Sequence, residues 1–284
     1  MKKIKSLIVL SLACMACTIA RAQQNIDLWP NGMPNSNGMD TTQPFDDSKQ
    51  NFKPSIRVFH PSESQSNHMA VVCLPGGGYT HLATDHEGYD WSSYFCGLGF
   101  TYVVLKYRMP KGHTEVPVSD AAEAMRLVRE HASEWGIDAR KVGIMGSSAG
   151  GHLASTIATH SDSLSKPYFQ ILFYPVISME TGVTHQNSRD NLLGYHPARE
   201  QVERYSNALQ VDSATPKAIL LLSDDDKAVS PKNGVEYYLA LKEHHVPASL
   251  HVYPSGGHGW GYRTSFAFHK EMLDDLTAWL KTLK

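Results

Sequence analysis

The 284-residue chain is poor in cysteine, with four, and nearly balanced in charge: 26 Lys and Arg against 28 Asp and Glu, a formal net charge of −2. A balance this close to neutral offers no field for nucleic acid or for an anionic membrane surface. There is no internal repeat and no low-complexity tract. Beyond residue 20 no apolar run reaches the length of a membrane-spanning helix. The zinc-hydrolase signature H-E-x-x-H is missing as well, so neither a metal nor a cofactor is expected. The apolar share of 42% and charged share of 19% are those of an ordinary globular protein.

What is present begins at the N-terminus. Lys2, Lys3 and Lys5 precede an apolar run from Leu7 to Ala20, and Ala20-Arg21-Ala22 has the small-x-small form of a signal-peptidase site. Residues 1–22 therefore read as a secretory signal, with a mature chain starting near Gln23 and destined for the periplasm or the medium. Cys14 and Cys17 leave with it, and neither follows the Leu-x-small run of a lipoprotein. For Cys73 and Cys96 export permits a disulfide, although two separate buried thiols are the simpler reading.

Residues 23–54, rich in Asn, Gly, Pro, Asp and Gln, read as an irregular lead-in, and residues 55–284 as one domain. Strands are expected at Ile56–Phe59, Met69–Leu74, Thr101–Tyr107, Lys141–Met145, Phe169–Tyr174, Ala218–Leu222 and Ser249–Tyr253. Several are near-continuous Val/Ile/Leu runs, the mark of strands covered on both faces. Helices are expected at Tyr89–Gly97, Ala149–His160, Arg199–Leu209, Pro231–His244 and Phe266–Lys281. Another follows Ser119 as its cap, with Ala121, Ala124, Met125, Val128, Ala132 and Trp135 on one face. This alternation predicts an α/β fold, a mostly parallel sheet with helices on both faces.

The stretch Gly146-Ser147-Ser148-Ala149-Gly150-Gly151-His152 lies between an expected strand and helix. A phosphate loop would need Lys-Ser/Thr where His152-Leu153 stands, and an exported protein rarely meets nucleoside triphosphates. The stretch instead satisfies G-x-S-x-G, the strained turn that lifts a nucleophile above a sheet edge. Ser148 is its centre; centring on Ser147 would require glycines at Met145 and Ala149. In such a turn the Ala149 N–H points at the developing oxyanion, and Ser147 has a packing role.

A serine nucleophile needs a base, and the base an orienting acid, in the chain order Ser, Asp/Glu, His. Of fifteen histidines, His258 stands in Ser255-Gly256-Gly257-His258-Gly259-Trp260, between the last strand and the last helix. The acid should lie in the loop after the preceding strand, where Asp224, Asp225 and Asp226 are adjacent and equivalent by spacing. Pro75-Gly76-Gly77-Gly78-Tyr79 follows an apolar strand and can turn backbone N–H groups into an oxyanion hole.

These residues resemble the α/β-hydrolase fold, and within it the hormone-sensitive-lipase-like and acetylxylan-esterase-like carbohydrate esterases. The resemblance spans Leu28-Trp29-Pro30-x-Gly32-x-Pro34, Asp85-His86-Glu87-Gly88, Lys106-Tyr107-Arg108, Trp135-Gly136-Ile137-Asp138 and Gly146–His152. It continues through Tyr174-Pro175-Val176-Ile177-Ser178-Met179, Thr184-His185 to Leu193-Gly194, and Gly256-Gly257-His258-Gly259. It implies the acid through a D-x-x-V pattern that Asp226-Lys227-Ala228-Val229 matches, and a hole formed by Gly77, Gly78 and Ala149. Pro75 replaces the family's histidine in H-G-G-G, so that group's substrate preference does not carry over; backbone donors should survive the change. The implied protein is a secreted serine esterase acting on acylated plant polysaccharide, foremost acetylated xylan or xylo-oligosaccharides. Feruloyl esterase, general carboxylesterase and peptidase activities share the triad, and a glycan-binding protein on the same fold is the rival from another class. Tyr79, Trp260 and Tyr262 are expected as a sugar-stacking rim, and Asp85-His86-Glu87 as a structural turn below the oxyanion loop. The oligomeric state is left open.

Overall fold

The computed structural model describes residues 23–160 and 162–283; the signal reading of residues 1–22 lies outside them. Among the described residues one sheet of eight strands runs in the order β1-β2-β4-β3-β5-β6-β7-β8. These are β1 (Gln23–Asp27), β2 (Ser55–Phe59), β3 (Ala70–Leu74), β4 (Thr101–Lys106), β5 (Val142–Ser147), β6 (Gln170–Phe173), β7 (Ala218–Ser223) and β8 (Ala248–Tyr253). The β1–β2 and β2–β4 pairings are antiparallel, and those from β4 to β8 are parallel. The helices are α1 (Ser92–Gly97), α2 (Glu115–Glu130), α3 (Ala132–Trp135), α4 (Ser148–His160), α5 (Gln186–Leu193), α6 (Arg199–Arg204), α7 (Lys232–Glu243) and α8 (His269–Leu280). The mostly parallel sheet expected from strand–helix alternation is the one found, and it is the architecture that the α/β-hydrolase resemblance implied.

Strand alternation divides the interior into two cores. Ala70, Val72 and Leu74 of β3 join a cluster with Ala121, Ala124 and Val128 of α2, Leu153 and Ile157 of α4, and Tyr237 and Leu241 of α7. Val71 and Cys73 face the other side, among Phe95 of α1 and Met272, Leu276 and Leu280 of α8. Helices on both faces explain why β3 is fully buried and reads as an unbroken apolar run.

Several elements depart from the expectations, among them α5, which was not expected, and α6, which ends at Arg204 rather than Leu209. Residues 23–27, expected as irregular, form edge strand β1, paired from Gln23↔Phe59 to Asp27↔Ser55; their alternating exposure leaves little apolar signal. Helix α2 starts at Glu115 rather than after Ser119. Pro117 falls in its first turn, where no N–H is required, and Ser119 Oγ donates to Val116 O at 2.9 Å from inside the helix. The apolar face read to Trp135 is divided between α2 and α3 at His131. Cys73 and Cys96 are free thiols, and burial pushes Cys73 up to about 12.

From β3 the chain crosses to β4 on one side, and from β5 to β6 on the other. Strand order thus reverses between the neighbours β3 and β5, and a crevice opens at their C-terminal ends. The remainder of the lead-in is tied down by Arg108, whose side chain is closed to solvent. Its guanidinium donates to Asp120 Oδ1 at 2.7 Å, Asp40 Oδ2 at 2.9 Å and Asn35 O at 2.7 Å. Replacing it leaves two buried carboxyl groups without a cation. Arg108→Met should therefore cost about 3–5 kcal/mol, read as a lowered urea midpoint with earlier proteolysis between residues 35 and 40.

On α4, His152 Nε2 donates to Tyr205 O at 2.8 Å, so Nδ1 is the acceptor for Tyr79 OH at 2.9 Å. Burial pushes this imidazole down to about 4. The folded value lies below the unfolded one of about 6.5, so stability is full above that pH and falls as acid protonates the unfolded chain, by about 2 kcal/mol at pH 5. The urea-midpoint gap between wild type and His152→Gln should be narrower at pH 5 than at pH 7.

Candidate active site

Strand β5 and helix α4 meet at Ser148 with almost no connecting loop. A Cβ on Gly146 would lie 2.2 Å from Gly150 O, and one on Gly150 would lie 2.0 Å from Leu74 O. Both glycines of G-x-S-x-G are thus required by backbone contact. Ser148 adopts φ of 54°, a left-handed conformation that costs a non-glycine residue about 1–2 kcal/mol. The turn brings Ser148 to the crevice, 5% exposed, while Ser147 is fully buried in the sheet.

Two further loops converge on it. His258 Nε2 lies 2.8 Å from Ser148 Oγ, and His258 Nδ1 lies 2.6 Å from Asp226 Oδ2. The other oxygen, Asp226 Oδ1, accepts from the Ala228 and Val229 N–H groups, both at 2.9 Å. The three adjacent aspartates separate by contact. Asp225 Oδ1 accepts from Gly257 N–H at 2.8 Å and so holds the histidine loop, while the Asp224 N–H donates to Tyr253 O. Asp226 alone of the three is buried.

The Pro75–Gly78 loop caps the same crevice. Gly76 O accepts from Ala83 N–H, Gly77 O from the Thr80 and His81 N–H groups, and Gly78 O from Asn191 Nδ2. In a planar trans peptide the following N–H points opposite to its carbonyl. The N–H groups of Gly77 and Gly78 are thereby turned out of the loop's interior, and both residues line the cleft. Gly77 has φ of 131° and no room for a Cβ, which would meet His81 O at 2.2 Å. The buried carboxyl of Glu87 joins this loop to the histidine loop. Its Oε2 accepts from Gly76 N–H at 2.8 Å and its Oε1 from Tyr174 OH at 2.9 Å; that hydroxyl in turn accepts from Gly261 N–H at 2.8 Å. The Tyr174 ring also lies edge-on to the His258 ring, with centroids 4.8 Å apart.

The cleft over Ser148 has a volume of about 320 Å³. Besides Gly77, Gly78, Ser148 and His258 it is lined by Thr80, His81, His86, His185, Asn187 and Arg263, among others. Burial lowers the imidazoles of His86 and His185 below their ordinary range. The expected aromatic rim does not form. Tyr79 is 1% exposed with its hydroxyl on His152, and Trp260 is 3% exposed, stacked on Phe266 at 4.2 Å with its N–H on Ser223 Oγ. Tyr262 packs its ring on Trp91 at 4.9 Å. These aromatics have their polar atoms or faces satisfied inside the protein, so they are core, not rim. In their place stand polar residues with no assigned role in the sequence reading. Asn187, and Asn191 that holds Gly78, sit on α5, a polar helix without the apolar periodicity that would announce it. Among the described residues no three His, Cys, Asp or Glu side chains gather as a metal-ligand set.

The family model described as BD-FAE matches residues 56–241. An acetylxylan esterase of Xylanibacter ruminicola is 43% identical over 218 residues, covering 75% of this chain and 45% of that protein. An endo-1,4-beta-xylanase B of Butyrivibrio fibrisolvens is 33% identical over 205 residues, covering 66% of this chain and 32% of that protein. This chain thus spans less than half the length of either relative. Among solved structures, an acetyl ester-xyloside bifunctional hydrolase from Caldicellulosiruptor lactoaceticus superposes with a TM-score of 0.81 at 33% identity, over 92% of this chain and 96% of that one. An esterase of Thermogutta terrifontis with propionate bound shares the fold, with a TM-score of 0.68 at 24% identity over 82% of this chain and 90% of its own. With the model matching well over half of its residues, and with this sheet and elbow, the chain belongs to the BD-FAE family of α/β hydrolases.

Proposed function

We propose that the protein is an exported serine esterase that removes acetyl groups from xylan or xylo-oligosaccharides. The observation that carries the reading is the continuous hydrogen-bonded line from Asp226 through His258 to Ser148, ending in an open cleft beside two outward-turned glycine N–H groups. The relatives described as an acetylxylan esterase and an acetyl ester-xyloside hydrolase support the substrate. The basic and apolar pattern of residues 1–22 supports export.

In this reading Ser148 Oγ attacks the ester carbonyl as its proton passes to His258 Nε2. The oxyanion forms against the N–H groups of Gly77, Gly78 and Ala149, already in place before reaction. Collapse breaks the C–O bond to the sugar, and His258 returns its proton to the departing oxygen, leaving acetyl on Ser148. Water then attacks the acetyl carbon and gives a proton to Nε2, which passes it to Ser148 Oγ as acetate leaves. Asp226 fixes the Nδ1–H tautomer, and the two backbone N–H groups on its Oδ1 keep it from turning. Thr80, Asn187 and the histidines offer donors and acceptors suited to sugar hydroxyls rather than to an acyl chain.

Against 4-nitrophenyl acetate, Ser148→Ala should lower kcat roughly 10^6-fold and Asp226→Asn roughly 10^4-fold. A fluorophosphonate should add its mass at Ser148; labelling of Ser147 would overturn the assignment. Acetate should be released from native xylan in preference to pectin or mannan, and release from pectin alone would sink the xylan substrate. Glu87 acts as a positioning residue between two loops. Glu87→Ala should reduce kcat about 10²-fold with a smaller change in KM, and Glu87→Gln should recover part of the loss.

A further inference from the structure

Hydrolysis of a neutral acetyl ester needs a nucleophile, a base and N–H donors, and none of these explains Arg263. This residue lines the same cleft as Ser148 and is exposed. Its Nη1 donates to Gly259 O at 3.1 Å, and its Nη2 lies 3.3 Å from His86 Nδ1. Neither partner carries a negative charge, and among the described residues Arg263 has no carboxylate within ion-pair distance. A guanidinium has five N–H donors in a planar fork, so most of its donors and all of its charge remain available to the cleft.

Among the described residues of the lining none forms an ion pair with it. Glu87 is the one acidic residue among the described residues that line the cleft, and both of its oxygens already accept, from Gly76 N–H and Tyr174 OH. His81, His86 and His185 add no negative charge. The bond to Gly259 O anchors the guanidinium to the residue next to His258, so it stands beside the proposed base rather than on a remote surface. A planar fork of this kind matches a carboxylate bidentately.

We infer that Arg263 binds the carboxylate of a uronic acid carried by the acetylated polysaccharide near the ester that is cleaved. The inference rests on the esterase reading above and narrows its substrate to acidic, acetylated glycan.

The test takes acetylated xylo-oligosaccharides from one hydrolysate, separated by anion exchange into neutral and uronic-acid-bearing pools of matched length. Acetate release by the wild type should favour the acidic pool about tenfold in kcat/KM, mainly through KM, and the preference should shrink with added salt. The acidic-to-neutral ratio should fall to about one in Arg263→Ala and below one in Arg263→Glu, with partial retention in Arg263→Lys. An unchanged ratio in all variants, with 4-nitrophenyl acetate still turned over through Ser148, would overturn the inference and leave the esterase reading standing. Absence of Ser148-dependent hydrolysis of every ester would remove both. Acetylated galacturonan oligosaccharides separate the two sources of uronate: faster, Arg263-dependent release there keeps the carboxylate contact and moves it from a xylan side group to a pectin backbone.

Discussion

The start of α4 lies against the end of β3 more closely than any side chain would allow, and the position of Ser148 depends on that contact. Gly150 makes the approach possible at the β3 end, and Gly146 makes it possible within the turn itself. Between them Ser148 is forced to φ of 54°. Such a conformation persists only when its surroundings over-determine it. Here they do: the first ten residues of α4 are buried, and Ser148 O accepts from Val176 N–H. The hydroxyl therefore stands at the switch point between β3 and β5, where the proposed oxyanion loop and the proposed nucleophile come from adjacent strands.

The other two loops are held to that fixed point by polar contacts as well as by the packing of Trp260 on Phe266 and Tyr174. Glu87 gathers the Gly76 N–H and the Tyr174 hydroxyl, and Tyr174 gathers the Gly261 N–H, so one buried carboxyl sets the spacing between oxyanion loop and histidine loop. Asp225 fixes the histidine loop from outside through Gly257, while Asp226 orients the imidazole from inside. A run of three like charges is unfavourable in isolation. The carboxyl groups of Asp225 and Asp226 meet different partners, and only Asp226 of the three is taken out of water, against two backbone N–H groups and an imidazole. The relay needs no further charged neighbour to hold Asp226 in place.

Where a residue's fate is set by local covalent geometry or by continuous burial, the sequence was readable. Five of the six parallel strands announced themselves because both faces are covered, the half-exposed edge strand β8 being the exception, and Ser148 was separable from Ser147 because only one of them has glycines at the steric distances the turn demands. His258 followed from flanking glycines that free a loop. The rest depended on contacts distant in sequence. β1 is an alternating, half-exposed edge strand whose identity comes from pairing with β2. α5 is polar on most of its surface because it packs on the cleft's rim, so no apolar stripe marks it. Tyr79, Trp260 and Tyr262 lie close in sequence to site residues, yet their rings pack inward, against His152, Phe266 and Trp91. Proximity in sequence to a catalytic loop says nothing about which side of that loop a ring will take. Among the three aspartates, spacing gave no choice; the D-x-x-V pattern pointed to Asp226, which is the buried one of the three and accepts the Val229 N–H on its Oδ1.

The same distinction applies to Pro75, which stands at the first position of the H-G-G-G pattern that this loop resembles. Proline has no N–H to give, and at this position none is used. Its carbonyl accepts from Tyr107 OH at 2.7 Å, and the next N–H, of Gly76, goes to Glu87. The N–H groups turned toward the cleft begin only at Gly77. Because the proposed oxyanion donors belong to the main chain, they are placed by the shape of the loop rather than by the side chain before it. That shape is set by the N–H donors of Ala83, Thr80, His81 and Asn191, which hold the carbonyls of Gly76, Gly77 and Gly78, and by the lack of any Cβ at Gly77. A fixed φ near −65° at the end of β3 instead stiffens the strand-to-loop corner against which Gly150 packs. The substitution therefore alters what lines the loop's entry while leaving the geometry of the reacting centre to the backbone.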